Sequence, residues 1–180
     1  MFGANVESKT RCGDLDAVAR QARSLGARHE GRLQQVDTYF NVRRGRLKLR
    51  EISHYAPDGQ VFASLELIRY ERPDESGARV STYERSEIED AESSKVRLAA
   101  AHGVRGCVRK RRELWTLDST RIHLDQVEGV GAFVELETVC VGEPGPAELL
   151  EHDRPWNALG LDPGESVDGS YIDLLEPSSA

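Results

Sequence analysis

Two spacings divide the chain. Runs in which polar and apolar residues strictly alternate, the period of a strand, are separated by stretches in which apolar residues recur every three or four positions, the period of a helix. The clearest alternating run is Arg46-Leu47-Lys48-Leu49-Arg50, with three cations on one face and two leucines on the other. Similar runs cover residues 3–11, 33–41, 61–71, 79–85 and 104–115. Residues 121–137 hold two more, joined by a Gly-containing turn, which brings the expected strands to eight. Pro57-Asp58-Gly59 is a turn signal between the third strand and the fourth. Asp14 ahead of Leu15, Val18, Ala19, Ala22 and Leu25, with Gly26 behind them, predicts a capped helix. Asp90 and Gly103 bracket a second helix. A Pro- and Gly-rich turn over residues 143–146 leads into a helical stretch through Leu150, and residues 170–175 add a short closing segment.

The apolar faces, such as Leu47, Leu49, Ile122, Leu124, Val134 and Leu136, are of the kind that helices cover. Eight antiparallel strands can close on themselves and so remove their exposed edges. The expected fold is α+β: an eight-stranded antiparallel β-barrel with helices packed on the outside and the charged faces turned inward. Length predicts one domain over residues 1–176, with 177–180 as a disordered tail.

Composition narrows the partners. A net charge of −7 argues against a nucleic-acid surface, and no apolar run is long enough for a signal peptide or a membrane span. The three cysteines, Cys12, Cys107 and Cys140, are widely spaced without a CxxC pair, which supports neither a zinc site nor a disulfide framework. The expectation is a cytoplasmic protein, monomer or homodimer, with no nucleic-acid or membrane partner.

The inward face carries the chemistry. It collects Lys9, Arg46, Lys48, Arg50, Arg79, Arg85, Lys110, Arg112 and Arg121, set against Glu7, Asp125, Glu135 and Glu137. Two like charges ~4 Å apart repel by about 4 kcal/mol at an effective dielectric near ~20. Such an interior calls for a multiply charged anion, with a metal at its acidic end. Arginine forks match phosphate oxygens in pairs, and Mg²⁺ commonly bridges a carboxylate or two to substrate phosphates. The inferred ligand is a polyphosphate. His123, on the same face, reads equally as a general base or as a hydrogen-bonded structural histidine. Tyr39, Tyr70 and Tyr83 read as ligand contacts or, more simply, as barrel packing.

These motifs resemble a known family. Asn5-Val6-Glu7-Ser8-Lys9, Asp37-Thr38-Tyr39-Phe40, GRLKLRE over residues 45–51, Lys110 with Arg112, RIHLDQVEG over 121–129, FVELE over 133–137 and SYIDLL over 170–175 are similar to CYTH proteins, also called triphosphate tunnel metalloenzymes. That family includes class IV adenylyl cyclases, thiamine triphosphatases and inorganic triphosphatases. The resemblance implies a tunnel that binds triphosphate along its axis with Mg²⁺ or Mn²⁺. It implies metal binding by Glu135, Glu137, Glu7 and Asp125, and phosphate binding by Lys48, Arg50, Lys110 and Arg112, and it matches Glu7 and Lys9 to the family's N-terminal signature; with His123 from the inward face, Glu7 and Lys9 are the catalytic candidates. Arg72 lies near where relatives carry a tunnel lysine. Asn5 stands where the family's Glu-x-Glu-x-Lys signature has its first glutamate, a departure that bears on how many metals bind. The implied substrate is tripolyphosphate, thiamine triphosphate or ATP. Hydrolysis is favoured over cyclisation of ATP to cyclic AMP, and a non-catalytic polyphosphate- or nucleotide-binding module is the rival of another class.

Overall fold

The computed structural model describes residues 2–71, 78–140, 142 and 144–175. The loop expected over 74–77, Arg72, Glu143 of the expected turn and the 177–180 tail lie outside the described residues. The strands are β1 (Phe2–Arg11), β2 (Arg28–Phe40), β3 (Arg46–Tyr55), β4 (Val61–Glu71), β5 (Arg79–Glu87), β6 (Val104–Leu117), β7 (Thr120–Val127) and β8 (Gly131–Cys140). They close into a barrel in the order β1-β5-β4-β3-β2-β6-β7-β8, with every neighbouring pair antiparallel. Closure leaves no long unpaired edge around the wall.

The alternation read from the sequence is what sorts the two faces. Helix α1 (Leu15–Ser24) is capped by the Asp14 carboxylate, which accepts from the Ala17 N–H at 2.8 Å. It buries Val18 and Ala22 against Trp115, Ile122, Leu124, Val134 and Leu136 on the outer wall of β6, β7 and β8. Helix α2 (Ala91–His102), capped by Asp90, lays Leu98 and Ala99 over Phe40, Leu47 and Leu49. Full burial of such aliphatic side chains contributes about 1.5–3 kcal/mol each, so the outer apolar rows fix which face turns inward. Helix α3 (Pro146–Ala158) packs on β8, β1 and β7. It runs two turns beyond the expected end at Leu150, because Pro155 falls near its C-terminal end, where little of the ladder remains to be broken.

The closing segment expected over 170–175 is a short helix, α4 (Tyr171–Leu175). It packs across one end of the barrel with Tyr39, Val108 and Phe133, and Ile172 rests where a side chain on Gly106 would sit: an added Cβ would meet its Cδ1 at 2.7 Å. At the β2–β3 turn, Gly45 has φ +67°, and a Cβ there would lie 2.6 Å from the Tyr70 carbonyl oxygen. Both the backbone angle and the close approach require glycine. No described helix is long and apolar enough to cross a membrane.

Candidate active site

The inward rows enclose a cavity of about 370 Å³. Its lining includes seven cations, Lys9, Lys48, Arg50, Arg85, Lys110, Arg112 and Arg121, and five carboxylates, Glu7, Asp37, Glu66, Glu135 and Glu137. Period two is the cause: each strand contributes every second residue to one enclosed space.

Two clusters of the same design form the basic wall. On β3, Lys48 and Arg50 lie two residues apart, and Asp37 faces Arg50 across the β2–β3 pair. Lys48 Nζ donates to Asp37 at 2.9 Å, and Arg50 donates through Nε and Nη2 at 2.7 and 2.8 Å. On β6, Lys110 and Arg112 repeat the spacing, and Asp125 faces Arg112 across the β6–β7 pair. Arg112 donates through Nε and Nη2 at 2.6 Å each, Lys110 at 3.2 Å, and the Tyr171 hydroxyl adds a donor at 2.8 Å. Burial would raise both aspartate pKa values. Arg50 and Lys48 at Asp37, and Arg112 and Lys110 at Asp125, outweigh burial and hold both carboxyls well below the usual carboxylate range. The same burial, reinforced by Arg50, pushes the Lys48 ammonium down to about 7. Burial and then Arg112 lower Lys110.

The wall of β1, β8 and β7 is acidic. Register places Glu137 between Glu7 and Arg121, and Glu135 between Lys9 and His123. Glu135 accepts from Arg112 at 2.6 Å and lies 3.9 Å from Lys9 Nζ. Glu137 accepts from Arg121 at 3.2 Å and from the Asn5 side-chain amide. Burial opposes ionisation of both glutamates. At Glu135 it is outweighed by Lys9, His123 and Arg112, and at Glu137 by His123 and Arg121. The His123 ring lies 3.6 Å from Glu135 and 3.7 Å from Glu137. Burial, and then Arg112, lower its pKa, so its imidazole is neutral at neutral pH.

Of the residues expected at the site, Glu7, Lys9, Lys48, Arg50, Arg85, Lys110, Arg112, Arg121, His123, Glu135 and Glu137 line the cavity. Asp125 does not: it is wholly buried behind Lys110 and Arg112, with its oxygens taken by Arg112, Lys110 and Tyr171. Arg46 sits at the α4 end, where it donates to Asp173 at 2.8 Å. Arg85 lies 3.4 Å from Glu66. Arg79 stands opposite Glu7 in the β1–β5 register. The sequence reading left Asp37, Glu66 and Tyr171 off the site. Asp37 shares the inward parity of Gln35 and Tyr39, which was the available signal; Tyr171 reaches the cavity only through α4.

The metal that such a family implies can be tested against these donors. Among the described residues, no three His, Cys, Asp or Glu side chains form a cage for an ion. The oxygen donors nonetheless suit a hard divalent cation. Glu7 and Glu137 face each other in register, and Asn5 Oδ1 is buried beside them with no hydrogen-bond partner. Mg²⁺ is typically held by one or two carboxylates plus waters and substrate phosphates rather than by an all-protein cage. The donor set fits an ion shared with a bound phosphate.

Comparison with known proteins follows the same lines. The family model described as CYTH domain matches residues 3–152. The PH1012 protein of Pyrococcus horikoshii OT3 superposes with a TM-score of 0.76 at 22% identity, covering 96% of this chain and 99% of that one. A Vibrio parahaemolyticus protein proposed to be an adenylate cyclase gives a TM-score of 0.71 at 21% identity, covering 96% and 98%. HpAC1 of Hippeastrum, described as having a dominant triphosphatase activity, gives 0.60 at 16%, covering 95% and 94%. At these identities the likeness shows the fold alone. No curated protein matches the chain.

Proposed function

Because the chain belongs to the CYTH family, we propose that it is a divalent-metal-dependent enzyme that binds a triphosphate in its basic tunnel and cleaves a P–O bond, with hydrolysis as the main reaction. The observation that carries this reading is the pair of Asp-gripped Lys-x-Arg clusters facing a carboxylate wall across one cavity. Lys48, Arg50, Lys110 and Arg112 bind phosphate oxygens, joined by Lys9, Arg85 and Arg121. The aspartates hold the forks in place beforehand, so little reorganisation is left for the reaction. Asp125 is assigned this positioning role in place of metal binding.

Mg²⁺ or Mn²⁺, when bound, supplies positive charge that offsets the phosphate oxygens; Glu7 and Glu137, with Asn5 Oδ1, would hold it, and Glu135 would add its charge to the acidic wall beside it. In hydrolysis a water oxygen bonds to phosphorus. The bridging P–O bond breaks, and its electron pair stays on the leaving phosphate oxygen. The water proton passes to the neutral imidazole of His123, the ring held between Glu135 and Glu137. A ribose 3′-hydroxyl attacking the α-phosphate would instead make the protein a class IV adenylyl cyclase. The tunnel's charge accounts directly for triphosphate binding, and the dominant triphosphatase activity described for HpAC1 leans the same way.

The test is to incubate the protein with tripolyphosphate, thiamine triphosphate and ATP under Mg²⁺ and Mn²⁺, and to separate phosphate from cyclic AMP. Glu135→Gln with Glu137→Gln should lower metal-dependent turnover by about a hundredfold or more; unchanged turnover removes the two glutamates from this role. Asn5 favours one other reading, a non-catalytic polyphosphate binder, which tight binding without turnover under either ion would select.

A further inference from the structure

Behind the acidic wall, on the outside of the barrel, sits a histidine that the reaction does not use. Helix α3 buries two residues, His152 and Pro155, and His152 is 1% exposed. Its ring bridges two strands. Nε2 lies 2.8 Å from the Ser8 hydroxyl on β1, and Nδ1 lies 2.9 Å from the Thr138 hydroxyl on β8. Thr138 in turn meets the Thr120 hydroxyl on β7 at 2.7 Å. All three hydroxyls belong to buried residues. One side chain of α3 thus ties together three adjacent strands.

Elsewhere the outward face of these strands is aliphatic: Ile122, Leu124, Val134 and Leu136 pack under α1. An apolar patch would serve adhesion here as well, since exchanging both members of a buried hydrogen bond for apolar groups of the same shape is nearly neutral. What the ring adds is direction. Apolar contact is non-directional, whereas hydrogen bonds weaken steeply off their preferred line. Burial pushes the His152 imidazole down to about 4, so at neutral pH it has one donor nitrogen and one acceptor nitrogen. One hydroxyl donates to it and the other accepts from it, and a single rigid ring sets the place of both.

The places it sets adjoin the site. Ser8 lies between Glu7 and Lys9, Thr138 follows Glu137, and Thr120 precedes Arg121. Period two turns each hydroxyl outward and its neighbour inward. The register that the ring holds is the one that sets Glu7 opposite Glu137 and Lys9 opposite Glu135. Strand β1 has need of such a tie. Among the described residues its pairing with β5 ends at Glu7. Beyond that point β8 and the C-terminal region hold it: the Val167 N–H donates to the Lys9 carbonyl at 2.9 Å, the Thr10 hydroxyl donates to the Asp162 carbonyl at 3.2 Å, and His152 takes Ser8.

We propose that His152 is a positioning residue for the metal: through Ser8 and Thr138 it holds β1 against β8 so that Glu7 and Glu137 share one divalent ion. The proposal rests on metal binding at that wall. The basic clusters on β3 and β6 are held by their own aspartates, so the effect falls on the ion and not on the anion.

The experiment measures, by calorimetry, the dissociation constant of a methylene-bridged, non-hydrolysable triphosphate with saturating Mn²⁺ and again with a chelator. His152→Leu should weaken the Mn²⁺ constant by about tenfold, the low end of what loss of a supporting partner costs a metal site, and leave the metal-free constant unchanged. His152→Gln, which keeps one donor and one acceptor, should restore most of the loss, a recovery that space-filling alone does not give. Ser8→Ala with Thr138→Val should reproduce the loss, and adding His152→Leu to that pair should cost nothing more. Thermal unfolding shows that each variant is folded; if His152→Leu is not, the Ser8 and Thr138 substitutions carry the test. An unchanged Mn²⁺ constant overturns the proposal. Equal weakening of both constants also overturns it, assigning His152 to general support of the barrel. A parent protein whose two constants are the same removes the metal reading and this proposal with it, and one that binds the analogue under neither condition removes the tunnel reading itself.

Discussion

The two Lys-x-Arg clusters are built alike and are tied into the barrel differently. Asp37 grips Lys48 and Arg50 while facing the cavity; Asp125 grips Lys110 and Arg112 from behind it. Arg112 also donates to Glu135 at 2.6 Å, and Asp125 also takes the Tyr171 hydroxyl, so the second cluster ties the basic wall to the acidic wall and to the C-terminal helix. The first cluster is bordered instead by the Tyr39 hydroxyl, 3.5 Å from Lys48 Nζ, and by the Tyr70 ring, whose centroid lies 5.4 Å from it. The comparison teaches that identical cations on one cavity wall can be held by an anion that shares the cavity or by one sealed behind it.

That difference can be broken most severely at Asp125. Asp125→Ala removes the carboxylate sealed behind Arg112 and Lys110, and loss of one partner from a buried ion pair costs about 3–5 kcal/mol. Urea unfolding should register a loss of that size. Asp37→Ala should cost less, because Asp37 itself lines the cavity and water can take its place beside Lys48 and Arg50, and should instead weaken triphosphate binding in proportion to its loss of fork alignment. Equal stability losses would erase the distinction drawn here.

A pH series sharpens the same point. Both aspartates have folded pKa values below their unfolded ones, so their stabilisation is full above the unfolded value near ~4 and is lost as pH falls through the lower folded values. Lys48 gives a slope of the same sign in a higher window. Its folded pKa, about 7, lies below the 10.5 of an ordinary lysine. Between these values the unfolded chain holds the proton and the folded chain does not, so stability should rise with pH across that window. Lys48→Met should flatten the rise; a slope unchanged by the substitution would show that Lys48 does not titrate there. The smallest expected effect is at Tyr171. Tyr171→Phe removes one hydrogen bond to a charged acceptor, worth about 1.5–3 kcal/mol, and should lower stability without altering the Asp37 side of the cavity.

Much of this was legible in strict alternation. Arg46 to Arg50, and Arg121 to Glu137, announce their faces because a strand exposes every second residue to the same side. Alternation fails where the chain departs from period two. Strand β2 begins at Arg28, five residues before the pattern becomes regular at Leu33, since a register shift between His29 and Gly31 breaks the parity there. Parity also cannot separate a residue that faces the cavity from one sealed beneath it. Asp125 and Arg46 have inward parity, yet their partners, Tyr171 and Asp173, come from a helix more than forty residues downstream of either. Asp37 was visible as an inward carboxylate; its grip on two cations required the β2–β3 register, which only the folded barrel supplies.

The stopper made by Ser170 and Tyr171 has one more result. Both residues are nearly inaccessible, and Lys9 Nζ donates to the Gly169 carbonyl at 3.3 Å, anchoring that end. Among the described residues, that end of the barrel is packed over by α4. Under the proposed function, cleaved fragments would leave by the mouth through which the intact molecule entered, and a long polyphosphate would be shortened from its tip.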